Sequence, residues 1–94
     1  MEKTLSVGDL VISTAGKDKD GMFLVVAVDG EYAKIVDGRK RKVLSPKRKK
    51  LKHLKKVLAV GEKDLAERIQ NGESVGNESV YRAIKAKQEK IQED

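Results

Sequence analysis

The sequence contains no cysteine, which excludes disulfides and thiolate-ligated zinc or iron–sulfur centres. Histidine occurs once, as His53, so hydrolytic triads and histidine-rich metal sites are not expected. Aromatic residues are scarce: Phe23, Tyr32 and Tyr81 are the only ones, and Pro46 is the single proline. A chain of 94 residues with so few rings builds an aliphatic core of modest depth within one domain. No apolar run approaches the ~20 residues needed to cross a bilayer. The opening residues MEKTLSVGDL lack the apolar stretch and cleavage site of a secretory signal. The expectation is a basic, cytoplasmic protein with no cofactor, no metal and no membrane association.

Positive charge is abundant and confined. The net charge is +6, but residues 1–38 carry a balance of −3 and residues 57–94 one of −2. Residues 39–56 hold eleven Lys or Arg and no acid. The whole excess lies in this stripe of 18 residues.

Residues 7–58 are organised as short strands between turn signals. The first strand is expected over Asp9–Ala15, entered through Gly8 and rich in β-branched residues. A polar loop follows, Gly16-Lys17-Asp18-Lys19-Asp20-Gly21, bracketed by glycines suited to positive φ. The apolar run Met22–Val28 is too short and too valine-rich for a helix and predicts a buried strand. Asp29-Gly30 signals a tight turn into a third strand, Tyr32–Val36, with Ala33 and Ile35 facing inward. Asp37-Gly38 predicts a second hairpin turn into a fourth strand, Arg39–Leu44, stopped by Ser45-Pro46. Residues 51–58 suit a fifth strand, although Leu51, Leu54, Val57 and Leu58 also have the spacing of a helical turn. Five such strands predict a small antiparallel barrel over residues 1–58. From Gly61 the period becomes helical. Leu65, Ala66 and Ile69 share one face of a helix ended by Gly72, and a second helix starts at Asn77 as N-cap. Residues 59–94 thus form a helical extension.

Enzymatic signatures fail on inspection. Gly16-x-x-x-x-Gly21 begins like a P-loop, but Met22-Phe23 stands where Lys-Ser/Thr is required. As a calcium loop the same segment lacks carboxylates at its first and last ligand positions, where Gly16 and Ala27 stand. His53 is flanked by lysines, and no nucleophile or paired acid accompanies it. Asn77-Glu78-Ser79 fits a glycosylation sequon but is read as a helix start. The chain is therefore not expected to be an enzyme, and no catalytic residue is assigned.

The stripe points to a polyanion. Eleven like charges repel one another unless an anion neutralises them, and edge protection of a sheet needs only one or two lysines. Alternation along a strand would put Arg39 and Arg41 on one side and Lys40 and Lys42 on the other. Residues 39–42 are therefore expected at an exposed edge or on a projecting hairpin arm. Residues 47–58 lack the large aromatic anchors of a membrane-surface helix, so nucleic acid is the better partner. With no ring in the stripe for base stacking, binding is expected through phosphate contacts to a structured RNA.

The segment Gly8-Asp9-Leu10-Val11-Ile12-Ser13-Thr14-Ala15-Gly16-Lys17-Asp18-Lys19, continued through Val28, resembles a KOW motif. It is similar to the small KOW-domain proteins related to archaeal and eukaryotic large-subunit ribosomal proteins. The resemblance covers about residues 5–58 and implies an SH3-like barrel that binds ribosomal RNA. It also implies that Gly16, Lys17, Lys19 and Gly21 form an RNA-facing loop. Asp20 departs from the glycine and basic residue common there, and Asp18 and Asp20 offset the two lysines. The expected RNA-binding residues are Arg39, Lys40, Arg41, Lys42, Lys47, Arg48, Lys49, Lys50 and Lys52, with Lys17 and Lys19 as secondary contacts. KOW domains of NusG-type transcription factors also bind proteins. The alternative is therefore an interaction module docking on ribosomal or transcription machinery through the barrel or the apolar seam Val80, Ile84 and Ile91.

Overall fold

A computed structural model describes residues 4–59 and 63–91, the last two without their side chains. The expected change of period at Gly61 and the seam side chain of Ile91 lie outside the described residues. Successive apolar side chains, as in Met22–Val28, need a strand buried on both faces. The second strand meets this over Met22–Val25, while Val26 and Ala27 are half-buried and Val28 is exposed. The sheet comprises β1 (Leu10–Ser13), β2 (Met22–Asp29), β3 (Tyr32–Val36), β4 (Lys47–Lys50) and β5 (Leu54–Leu58), all antiparallel, in the order β4-β3-β2-β1-β5. On one face Leu10, Met22, Leu24 and Val36 pack beneath two helices, α1 (Lys63–Gln70) and α2 (Asn77–Ile91). On the other face Val11, Phe23, Val25, Ala33 and Ile35 close over Leu5 and Leu54. Ala33 and Ile35 are thus the inward pair their spacing predicts.

The sheet is open and not the closed barrel expected from the strand count. β4 and β5 stand at opposite edges and share no ladder. They are nevertheless joined by a single 3-10 turn, Leu51–His53. Four Cα steps span at most about 15 Å, whereas four spacings of a flat sheet need about 19 Å. The sheet must therefore curl, and bulges at Leu10/Val11 and Val25/Ala27 supply local bends. The ambiguous periodicity of residues 51–58 has a simple resolution: the first three form the turn and the next five the strand.

The fourth strand is displaced from its expected position. Residues 39–46 form a loop, and pairing with β3 begins only after Pro46, at Lys47. The Asp37 carboxylate accepts the backbone N–H groups of Arg39 and Arg41 at 2.9 and 2.8 Å, while Asp37 and Gly38 donate to the Arg41 carbonyl. This closes residues 37–41 into a compact turn and removes those backbone groups from any ladder. Asn77 is also reassigned. Its side-chain oxygen accepts the Val43 N–H at 2.7 Å, and the helical bond of Val80 runs to the Gly76 carbonyl. Asn77 thus holds the loop onto α2 without capping it. Val80 and Ile84, the expected docking seam, are buried against the sheet. Gly72 ends α1 as expected, its N–H donating to Ile69.

Gly38 has φ +81° and lies against the first turn of α2, where a Cβ would collide with the Asn77 carbonyl and stand 3.0 Å from the Tyr81 nitrogen. Gly72 has nearly the same φ, +79°, with nothing within 4 Å. Gly72→Ala is expected to cost about 1–2 kcal/mol for the left-handed conformation alone. Gly38→Ala must also displace α2, so its unfolding free energy, measured by denaturant titration, should fall by at least about 2 kcal/mol more. Equal losses at the two positions would show that the loop does not pack on α2 as described.

Candidate nucleic-acid interface

The stripe divides into cations that hold the fold and cations that do not. Arg41 turns inward to Asp18: its Nε lies 3.2 Å from both carboxylate oxygens and its Nη2 2.9 Å from Oδ2. Lys40 reaches the same carboxylate at 3.3 Å and donates to the Lys17 carbonyl at 3.0 Å. Arg39 is drawn to α2, pairing with Glu78 at 3.3 Å and lying over the Tyr81 ring at 4.0 Å. Lys56 pairs with Asp9 at 3.6 Å. Residues 39–42 therefore neither form a sheet edge nor project as an arm. Arg39 and Arg41 are tied down, because each has a carboxylate from another element within reach.

Lys49 is the second surprise. It is 8% exposed, running through the curled side of the sheet to donate from Nζ to the Ala15 carbonyl at 2.7 Å. A Cβ on Gly16 would stand 3.2 Å from that Nζ, so the glycine leaves room for the lysine. The β1–β2 loop is a 3-10 turn over Gly16–Asp18, closed by Asp20 donating to the Ser13 carbonyl and Ser13 donating to the Gly21 carbonyl. Its left-handed residue near the end is Asp20, φ +72°, and not Gly21 as expected. Gly21 is needed for space: a Cβ there would lie 2.9 Å from the Phe23 ring. The backbone of His53 also meets this loop, accepting the Thr14 N–H at 2.9 Å.

Asp18 does not offset Lys17 and Lys19. Its side chain is 1% exposed and is committed to Arg41 and Lys40. Burial pushes the Asp18 carboxyl up, but hydrogen bonds from Arg41 and Lys40 and their charges outweigh burial and hold it below the ordinary carboxylate range. Lys17 and Lys19 are consequently left exposed on an ordered loop. Among the described residues, Lys42, Lys47, Lys50, Lys52 and Lys55 also have no carboxylate within 4.0 Å. Arg48 has none either, and its guanidinium lies 3.5 Å from the centroid of the Tyr32 ring. Sequence reasoning missed this partner, because Tyr32 lies outside the stripe and the two meet only through the β3–β4 ladder.

Contacts bring the 37–46 loop, Lys49 and the 51–53 turn together around the β1–β2 loop. They leave Arg39 on α2, and strand alternation sets Arg48 and Lys50 on the opposite face from Lys47 and Lys49. Among the described residues, no group of three His, Cys, Asp or Glu is placed to hold a metal ion, and no helix is long and apolar enough to cross a membrane. No protein-family model and no curated protein matches the chain.

Because the Asp18 pKa is lower in the folded protein, the ionised carboxylate stabilises the fold above its unfolded pKa, near 3.8. That contribution is lost as pH falls through the folded value. Asp18→Asn is expected to cost about 2–3 kcal/mol at neutral pH, where it leaves Arg41 without its counter-charge. Urea midpoints of the two proteins should converge below about pH 4. A gap that stays constant down to about pH 3 would show that the ion pair is not the source of the stability.

Proposed function

We propose that the protein is a non-enzymatic, cytoplasmic RNA-binding protein of the SH3-like, KOW type, acting on ribosomal or another structured RNA through phosphate contacts. The observation that carries this reading is the division of the stripe. After the fold has used Arg39, Lys40, Arg41, Lys49 and Lys56, the exposed lysines 42, 50, 52 and 55 and half-buried Lys47 have no carboxylate within reach among the described residues. Lys17 and Lys19 stand exposed on the loop that Lys40 and Lys49 hold in place. Supporting the SH3-like reading are the strand order β4-β3-β2-β1-β5 and the 3-10 turn that carries the chain between the two edge strands. Phosphates satisfy this arrangement well, since lysine ammonium groups bind them as point charges without fixed geometry.

Each phosphate neutralised on a duplex contributes about −0.9 to the slope of log affinity against log salt. Replacing Lys17, Lys42, Lys47 and Lys52 together by Gln should flatten the slope measured with a paired RNA by about 3.6 and weaken binding across sequences alike. Arg41→Gln should instead act mainly on thermal stability. A slope unchanged in the fourfold variant would sink the assignment of these lysines, and a wild-type protein that binds no RNA would sink the reading itself.

A further inference from the structure

The β3–β4 ladder carries exposed Lys34, Arg48 and Lys50 around half-buried Tyr32. Tyr32 pairs with Lys50 and Lys34 with Arg48, so alternation puts all four side chains on one face. Arg48 is the diagonal neighbour of Tyr32 and stacks its guanidinium on the ring at 3.5 Å. Beside them is a shallow recess of about 120 Å³, lined by Ala27, Asp29, Tyr32, Ala33, Lys34 and Arg48. Lys34 and Arg48 stand directly opposite each other, a like-charge pair that destabilises a ladder. Among the described residues neither has a carboxylate within 4.0 Å to offset that cost.

The second guanidinium–ring pair in the molecule shows what a structural role looks like. Arg39 lies over Tyr81 but is also bound to Glu78, so its charge is satisfied within the fold. Arg48 is exposed and has no such carboxylate. The ring lies against its guanidinium, and the exposure of the side chain leaves it accessible to another flat group. Nucleobases stack on aromatic rings and on guanidinium planes, and neighbouring lysines suit the phosphates on either side of a stacked base.

We propose that Tyr32 and Arg48 form a stacking platform for an unpaired base of RNA, with Lys34 and Lys50 neutralising the flanking phosphates. This rests on the RNA-binding reading and deepens it: the protein engages a paired region through its loop lysines and an adjoining unpaired nucleotide through the platform. It reverses the expectation that aromatic scarcity rules out stacking, because the ring is brought to the stripe by strand pairing.

The test uses a single-stranded RNA oligonucleotide carrying 2-aminopurine and a fully paired RNA duplex of equal length. Wild-type protein is expected to bind both and to quench 2-aminopurine fluorescence. Arg48→Lys keeps the charge and loses the plane, and Tyr32→Leu loses the ring. Each should lower the ratio of single-strand to duplex affinity about tenfold and abolish the quenching. Arg39→Lys, which alters the other pair, should leave the ratio unchanged. Because Arg48 is exposed, its lysine variant should melt as the wild type does, which separates the effect from unfolding. Duplex binding with an unchanged ratio in both platform variants, or no quenching by wild type, would overturn the platform while sparing the phosphate reading. Absence of binding to either RNA would overturn both.

Discussion

The Asp18 carboxylate is the point from which the basic segment is organised. Eleven cations within 18 residues would spread apart in water, and nothing in their own sequence draws them back. One buried acid, contributed by a loop 23 residues earlier in the chain than Arg41, takes up both Arg41 and Lys40. The Asp37 carboxylate then holds residues 37–41 in the turn that aims Arg41 at Asp18. Lys49 supports the same loop from β4 by reaching the Ala15 carbonyl. Two consequences follow. The β1–β2 loop becomes an ordered surface, and its own lysines are released from Asp18, one of the two acids that the sequence seemed to set against them.

The second constraint is that the centre of the sheet is apolar on both faces. Phe23 and Val25 point into the curl, while Met22 and Leu24 point the other way and need a cover. Val80 and Ile84 of α2, with Leu65 of α1, supply it. The helical extension therefore completes the core, and the seam that seemed available to a protein partner is spent on the sheet. Burying Val80 and Ile84 stabilises the fold by about 1.5–3 kcal/mol each before entropy, more than any exposed ion pair in the stripe. Packing holds the scaffold; the buried ion pairs at Asp18 add to its stability and decide how the basic loop lies on it.

Much of this scaffold was legible because it is local. The run Met22–Val28, the Asp29-Gly30 turn, the inward pair Ala33 and Ile35 and the stop at Gly72 all follow from spacing and turn chemistry. What could not be read was nonlocal. Lys-Arg-Lys-Lys over 47–50 has no apolar alternation to mark a strand, so its register comes from pairing with β3. Arg39–Leu44 has a strand-like composition, but Asp37 takes the backbone donors that a ladder would need. Asn77 has the sequence of a helix cap, yet a loop 34 residues earlier takes its oxygen. The cations of the stripe look equivalent in sequence and are not, since the carboxylates that select among them lie elsewhere in the chain.

That selection also separates two explanations of the charge that remains. β4 is an edge strand, and lysines on an edge discourage pairing with other chains. This accounts for Lys47 and Lys50, and on the opposite edge for Lys55. It does not reach Lys42, in the loop before β4, or Lys52, in the 3-10 turn after it. Nor does it reach Lys17 and Lys19, in the loop after β1. None of these four lies on a strand, so none has an edge to protect. Three carboxylates, Asp9, Asp18 and Glu78, neutralise the cations that the fold places against the body. The exposed lysines outside the strands have no such partner among the described residues, and that pattern favours an external anion over a purely protective surface.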